Sequence, residues 1–138
     1  MMEKENEQQL MTNMLTETEV IAVVGLSDKP QRTSYQIAKA MQQAGYRIIP
    51  VNPHIDEVLG EKAYDSLPEI EEPFDMVNVF RRSIFLPTLA EDIIQTNARF
   101  VWMQQGVQDK QVYQYLTEHG KQVIMNQCIK VAHSVLMK

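Results

Sequence analysis

Apolar positions along the chain follow two different periods. Val20-Ile21-Ala22-Val23-Val24 is an unbroken apolar run that ends on Gly25, Leu26 and Ser27. This is the pattern of a strand buried on both faces, with a turn at its carboxyl end. From Thr33 to Gly45 the period becomes helical. Ile37, Ala38 and Met41 share one face and Gly45 suits the stop. Thr33 and Gln36 stand at capping-box spacing, which predicts Thr33 as the cap. Tyr46 to Val51 returns to a buried strand. A strand, a helix and a strand in this space form a βαβ unit, whose first turn is a place for phosphate.

The alternation continues downstream. Pro50 and Pro53 stiffen the exit of the second strand around Asn52. His54 to Ile70 reads as loop, with a turn at Gly60, a short strand near Lys62-Ala63-Tyr64 and one helical turn at Ser66–Ile70. Asp75–Phe80 is a strand. A helix from about Ile84 to Asn97 follows, with Leu86, Leu89, Ala90, Ile93 and Ile94 as its apolar stripe. Arg99–Gln104 is the next strand. Asp109 caps a helix that runs through His119, Gln122–Asn126 is the last strand, and Gln127–Met137 closes as a helix. Ahead of all this, residues 1–9 read as a frayed end. Leu10, Met11, Met14 and Leu15 recur at helical spacing, as a helix packed on the sheet or a contact surface for a second subunit. The expected organisation is a partly helical extension over 1–19 and one domain over 20–138.

The fold class is therefore α/β: a Rossmann-like three-layer fold, with a parallel sheet of five to six strands and helices on both faces. Right-handed crossovers bring all the carboxyl ends of the strands to one rim. Gly25–Ser27, Asn52-Pro53, Arg81-Arg82, Gln104–Gly106 and Asn126–Cys128 then converge there, although they are far apart in sequence.

Composition limits what the rim serves. A chain of 138 residues, 44% hydrophobic and 22% charged, suits one domain with one sizeable core. The net charge of −5 argues against general nucleic-acid binding. The single cysteine, Cys128, permits no internal disulfide and fits a reducing compartment. The acidic, polar start is not a signal peptide and no apolar run is long enough for a membrane helix, so a cytoplasmic location without membrane contact is expected. Against that acidic background, Lys29 and Arg32 follow the first strand, and Arg81 and Arg82 follow the Asp75–Phe80 strand. Converging cations beside a helix amino end suit a ligand with several phosphates. A nicotinamide or flavin dinucleotide fits less well. The turn Gly25-Leu26-Ser27-Asp28-Lys29-Pro30 has one glycine where the fingerprint has three, and Asn52 stands where an acid would meet the ribose.

The ordered motifs VIAVVGLSDKPQRTSY, YRIIPVNP, VLGEKAYDSL, DMVNVFRR, VWMQQG and Asn126-Gln127-Cys128-Ile129-Lys130 resemble the small CoA-binding-domain proteins of bacteria and archaea, from about Val20 to the carboxyl terminus. In layout the chain is also similar to the CoA-binding domain of the succinyl-CoA synthetase alpha subunit. The resemblance implies that Gly25, Leu26, Ser27 and Arg32 meet the phosphates of coenzyme A. It places Val51, Asn52 and Pro53 along the adenosine, with Phe80, Arg81, Arg82, Gln104, Gln105 and Gly106 bordering the remainder. The residues suit this independently. No acid at the end of the second strand repels a 3′-phosphate, and Asn52 donates without adding charge.

Catalysis is not indicated. His54, His119 and His133 are isolated, with no metal-ligand spacing and no nucleophile–base grouping. The expected function is non-catalytic binding of CoA or an acyl-CoA, in a regulatory or carrier role. The partner would be a second copy of the chain or a CoA-using enzyme. The alternatives are an NAD(H)-binding redox sensor and the CoA-binding subunit of a heteromeric acyl-CoA ligase. Cys128 admits two readings: an inert buried thiol, or a residue that forms a mixed disulfide with CoA.

Overall fold

The computed structural model describes residues 4–137. Its main sheet has five parallel strands: β1 (Val20–Val24), β2 (Arg47–Val51), β5 (Met76–Val79), β6 (Phe100–Met103) and β7 (Gln122–Ile124). Their spatial order is β2-β1-β5-β6-β7, so the chain reverses direction across the sheet between β1 and β5. The sequence allowed a sixth strand. Near Lys62 the chain instead makes a separate antiparallel hairpin, β3 (Glu57–Val58) and β4 (Glu61–Lys62). A parallel bridge between Val51 and Tyr64 ties this segment to the free side of β2.

The strands are buried on both faces, as their continuous apolar runs require. Successive residues point to opposite sides. Ile21, Val23, Ile48, Met76, Phe100, Trp102 and Ile124 face a core shared with Ile37 and Met41 of α2 (Thr33–Gln43) and Ile129 and Ala132 of α5 (Ile129–Leu136). Ala22, Val24, Val77, Val79, Val101, Met103 and Val123 face a second core. It is completed by Leu86, Ala90 and Ile93 of α3 (Leu86–Ile94), Val112 and Leu116 of α4 (Lys110–Glu118), and Leu67 of a short 3-10 turn. The three-layer architecture follows from this alternation. No helix among the described residues is long and apolar enough to cross a membrane.

The amino-terminal segment is more ordered than its polarity suggests. α1 (Lys4–Glu17) begins inside the stretch expected to fray, and its Met11, Met14 and Leu15 lie in the first core; residues 1–3 of that stretch lie outside the described residues. The Tyr46 hydroxyl donates to the Leu15 carbonyl at 2.6 Å, pinning the end of α1 to the entrance of β2. Asp75 takes both the Glu19 and Val20 N–H groups on its Oδ2, each at 2.9 Å, and so fixes where β1 starts against β5.

Three local expectations are corrected. Arg32, not Thr33, holds the N-cap position of α2 and makes no side-chain capping bond. The capping box does not form because Thr33 is already the first helical residue and the Gln36 side chain turns to the Pro30 carbonyl. The expected helix start at Ile84 is a 3-10 turn, Ser83–Phe85, since Pro87 suits only the first turn of the α-helix behind it. The helix expected to run through His119 ends one residue sooner: His119 is its exposed C-cap residue, the ring tilted against Tyr115 at 4.5 Å. Asp109 caps α4 as expected, accepting from the Gln111 and Val112 N–H groups.

Candidate functional site

The carboxyl ends of the strands gather around Gly25. Its N–H donates to the Val51 carbonyl at 2.9 Å, and the Phe80 N–H donates to the Val24 carbonyl at 2.8 Å. Gly25 has φ +87°, and a Cβ there would lie 2.7 Å from the Phe80 oxygen. Glycine is therefore required to let the ends of β1 and β5 close on one another.

Asn52 fastens the neighbouring turn. Its Nδ2 donates to the Leu26 carbonyl at 2.9 Å, and its Oδ1 accepts from the His54 N–H at 2.9 Å. Leu26 itself is fully buried. The Ser27 N–H is taken by Ser34, and the Ser27 hydroxyl accepts from the Lys29 N–H. Gly25, Leu26, Ser27 and Asn52 thus form a framework whose polar atoms are largely engaged with protein. The amides of Gly25 and Ser27, read from sequence as anion donors, already have acceptors. The first turn of α2, without a side-chain cap, offers backbone donors at this edge.

Two hollows flank this framework, one on each face of the sheet. The larger, about 510 Å³, is lined by Thr33, Ile37, Phe80, Arg81, Arg82, Gln104, Gln105, Gly106, Val107 and Cys128. The smaller, about 230 Å³, includes Val24, Val51, Pro53, Ser66, Leu67, Phe85 and Leu89. Arg81 lines both and is the shared wall between them. The rim convergence therefore holds for Phe80, Arg81, Arg82, Gln104 and Gly106 in one hollow, and for Val51, Pro53 and Arg81 in the other. Arg32 is exposed at the start of α2 and lines neither.

The charges at this edge are available. Among the described residues, ion pairs form at Arg47 and Arg99, at the opposite ends of strands, and not at Arg32, Arg81 or Arg82. Arg81 and Arg82 instead lie over the ring of Phe85, at 4.4 and 5.6 Å from its centre. Phe85 was not singled out from the sequence. Its position four residues after Arg81, on a helical turn, is the signal that points to it.

Gln104 is only 4% exposed. Its Oε1 accepts from the Ile129 N–H at 3.1 Å. That contact identifies which end of the amide is the oxygen, because a backbone N–H needs an acceptor. The Gln104 Nε2 is left on the wall of the larger hollow with no acceptor among the described residues. Beside it, Asn126 stands at φ +58° and takes the Gly106 N–H on its Oδ1 at 2.7 Å, so this turn too is tethered to the end of β7. None of the three histidines lines either hollow, and no group of three metal-ligating side chains occurs among the described residues.

Comparison with known proteins places this geometry. An uncharacterized protein of Bacillus subtilis, YneT, is 58% identical over 122 residues, covering 88% of this chain and 90% of that protein. A structure described as a hypothetical protein from Pyrococcus horikoshii OT3 superposes with a TM-score of 0.90 at 30% identity, covering 95% of this chain and 92% of the other. An ADP-forming acetate–CoA ligase of Methanocaldococcus jannaschii is 29% identical over 72 residues, which is 52% of this chain but 10% of the ligase. The CoA binding domain model matches residues 19–134. From β1 to the end of the second core, and on through most of α5, this chain belongs to the CoA-binding domain family.

Proposed function

We propose that the protein binds coenzyme A or an acyl-CoA, without catalysing its transformation, across the carboxyl rim between β1 and β5. The observation that carries this reading is the pair of hollows on opposite faces of the sheet with the Arg81 side chain as their common wall. A ligand with a flat apolar base at one end, a long arm at the other and phosphates between them matches that division. The smaller hollow, walled by Val51, Pro53, Leu67 and Phe85, suits the adenine. The phosphates lie against Arg81, Arg82, Arg32 and the uncapped first turn of α2. The larger hollow suits the pantetheine arm, whose amide carbonyls find a donor in the Gln104 Nε2. The charge-assisted contacts of the arginines with phosphate contribute about 1.5–3 kcal/mol each.

Calorimetric titration with CoA, acetyl-CoA, NAD and FAD tests the reading. Saturable binding of CoA, and neither of the two dinucleotides, is expected. Binding of NAD with no response to CoA or acetyl-CoA overturns it.

A further inference from the structure

We propose that Cys128 captures the thiol end of CoA as a mixed disulfide, making the larger hollow a redox-sensitive attachment site. This rests on the CoA reading above and extends it to a covalent chemistry. Two observations carry it. Cys128 is half-buried on the wall of the larger hollow, at the N-cap position of α5, so its sulfur is held by the fold yet reachable from the cavity. On the same wall, the nearly buried Gln104 presents an unpartnered Nε2 donor, and its Oε1 is locked to the N–H of Ile129, the residue next to Cys128. The Nε2 has no acceptor in the protein among the described residues and opens onto the hollow, so it is free to meet a carbonyl oxygen of a ligand. Donor and thiol together complement an arm that carries a carbonyl oxygen and ends in sulfur.

The co-reactant is a disulfide of CoA. The Cys128 thiol gives up its proton, and its sulfur attacks one sulfur of the CoA disulfide. The S–S bond of the reagent breaks as the bond from the Cys128 Sγ to CoA forms. The departing CoA thiolate takes the proton, so no further oxidant is needed. A free thiol reverses the step by the same exchange.

The experiment treats the full-length protein with CoA disulfide, glutathione disulfide and cystamine in parallel, follows adducts by intact-mass and peptide mass spectrometry, and titrates the reduced protein with CoA by calorimetry. A CoA adduct on the Cys128 peptide is expected to form at least about tenfold faster than the glutathione adduct, the advantage of one well-placed hydrogen bond. It should be absent in Cys128→Ser and released by dithiothreitol. Gln104→Leu should lower the ratio of the CoA-disulfide rate to the cystamine rate, which a merely structural role would leave unchanged. If reduced protein binds CoA but CoA disulfide yields no adduct, or glutathione disulfide reacts equally fast, the capture proposal fails and the binding reading stands. If CoA does not bind at all, both fail.

Discussion

Gly25 and Phe80 meet so closely that a methyl group on the former would stand 2.7 Å from the carbonyl oxygen of the latter and 3.1 Å from its carbon. The backbone at Gly25 is also left-handed, with φ +87°. Gly25→Ala therefore meets two penalties. The conformation alone costs an L-residue about 1–2 kcal/mol, and the clash with a backbone carbonyl cannot be relieved by rotating a side chain. We expect the urea midpoint to fall and CoA affinity to fall further, because the two strand ends that border the hollows are pushed apart. An alanine variant with the wild-type midpoint would contradict this account of the turn.

Arg81 divides the hollows, and its guanidinium carbon lies 4.4 Å from the centre of the Phe85 ring. Arg81→Ala should weaken CoA binding by about 1.5–3 kcal/mol. Lysine at the same position should recover little of this, because it lacks the flat fork that grips a phosphate with two bonds. Phe85→Ala, which frees the arginine without removing its charge, should cost about 0.5–1 kcal/mol. Calorimetry on the three variants measures the series, and the wild-type affinity should decline as salt rises.

Tyr46 fastens α1 to the sheet through its 2.6 Å bond to the Leu15 carbonyl. Tyr46→Phe strands a buried acceptor and should lower stability by about 1–3 kcal/mol. Burial raises the Tyr46 pKa above 10.0. Below that value both the folded and the unfolded chain keep the phenol proton, and this group adds no pH dependence. Above it the unfolded chain loses the proton first, so stability falls as pH climbs toward the folded-state value. Urea melts on either side of pH 10.0 should show this alkaline loss in the wild type and a shallower one in the phenylalanine variant.

Asn126 separates two effects in one residue: a left-handed backbone at φ +58° and a tether to the Gly106 N–H. Asn126→Gly keeps the backbone relaxed and removes only the tether. Asn126→Ala removes the tether and adds strain. The alanine variant should unfold at lower urea than the glycine variant, by about 1 kcal/mol. Both should bind CoA more weakly, since the Gln105-Gly106 turn borders the larger hollow.

Much of this molecule was legible from the order of its residues. The runs at Val20–Val24 and Met76–Val79 carry no polar face except Asn78, which is satisfied by the Trp102 carbonyl, so only a sheet covered on both sides accommodates them. Asp109 was readable as a cap because its partners are two and three residues away. What escaped the reading depends on contacts that spacing does not encode. The Thr33–Gln36 box has the right letters, but the helix starts one residue early and Gln36 reaches the Pro30 carbonyl across the loop. Asp75 reads from the sequence only as the first residue of a strand, yet it organises a segment 55 residues earlier in the chain. The Gly25 and Ser27 amides look free in the sequence, yet Val51 and Ser34 take them up in the fold. Neither the seat of the arginines on Phe85 nor the orientation of the Gln104 amide can be seen until the rim is assembled.

β2 lies at an edge of the sheet, and Pro50 sits inside it without an N–H to offer. The Pro50 carbonyl is taken by the Tyr64 N–H, and the Tyr64 carbonyl by the Asn52 N–H. A foreign strand arriving at this margin finds the carboxyl half of its template already filled. This side of the protein is thereby guarded against runaway stacking of copies into fibrils.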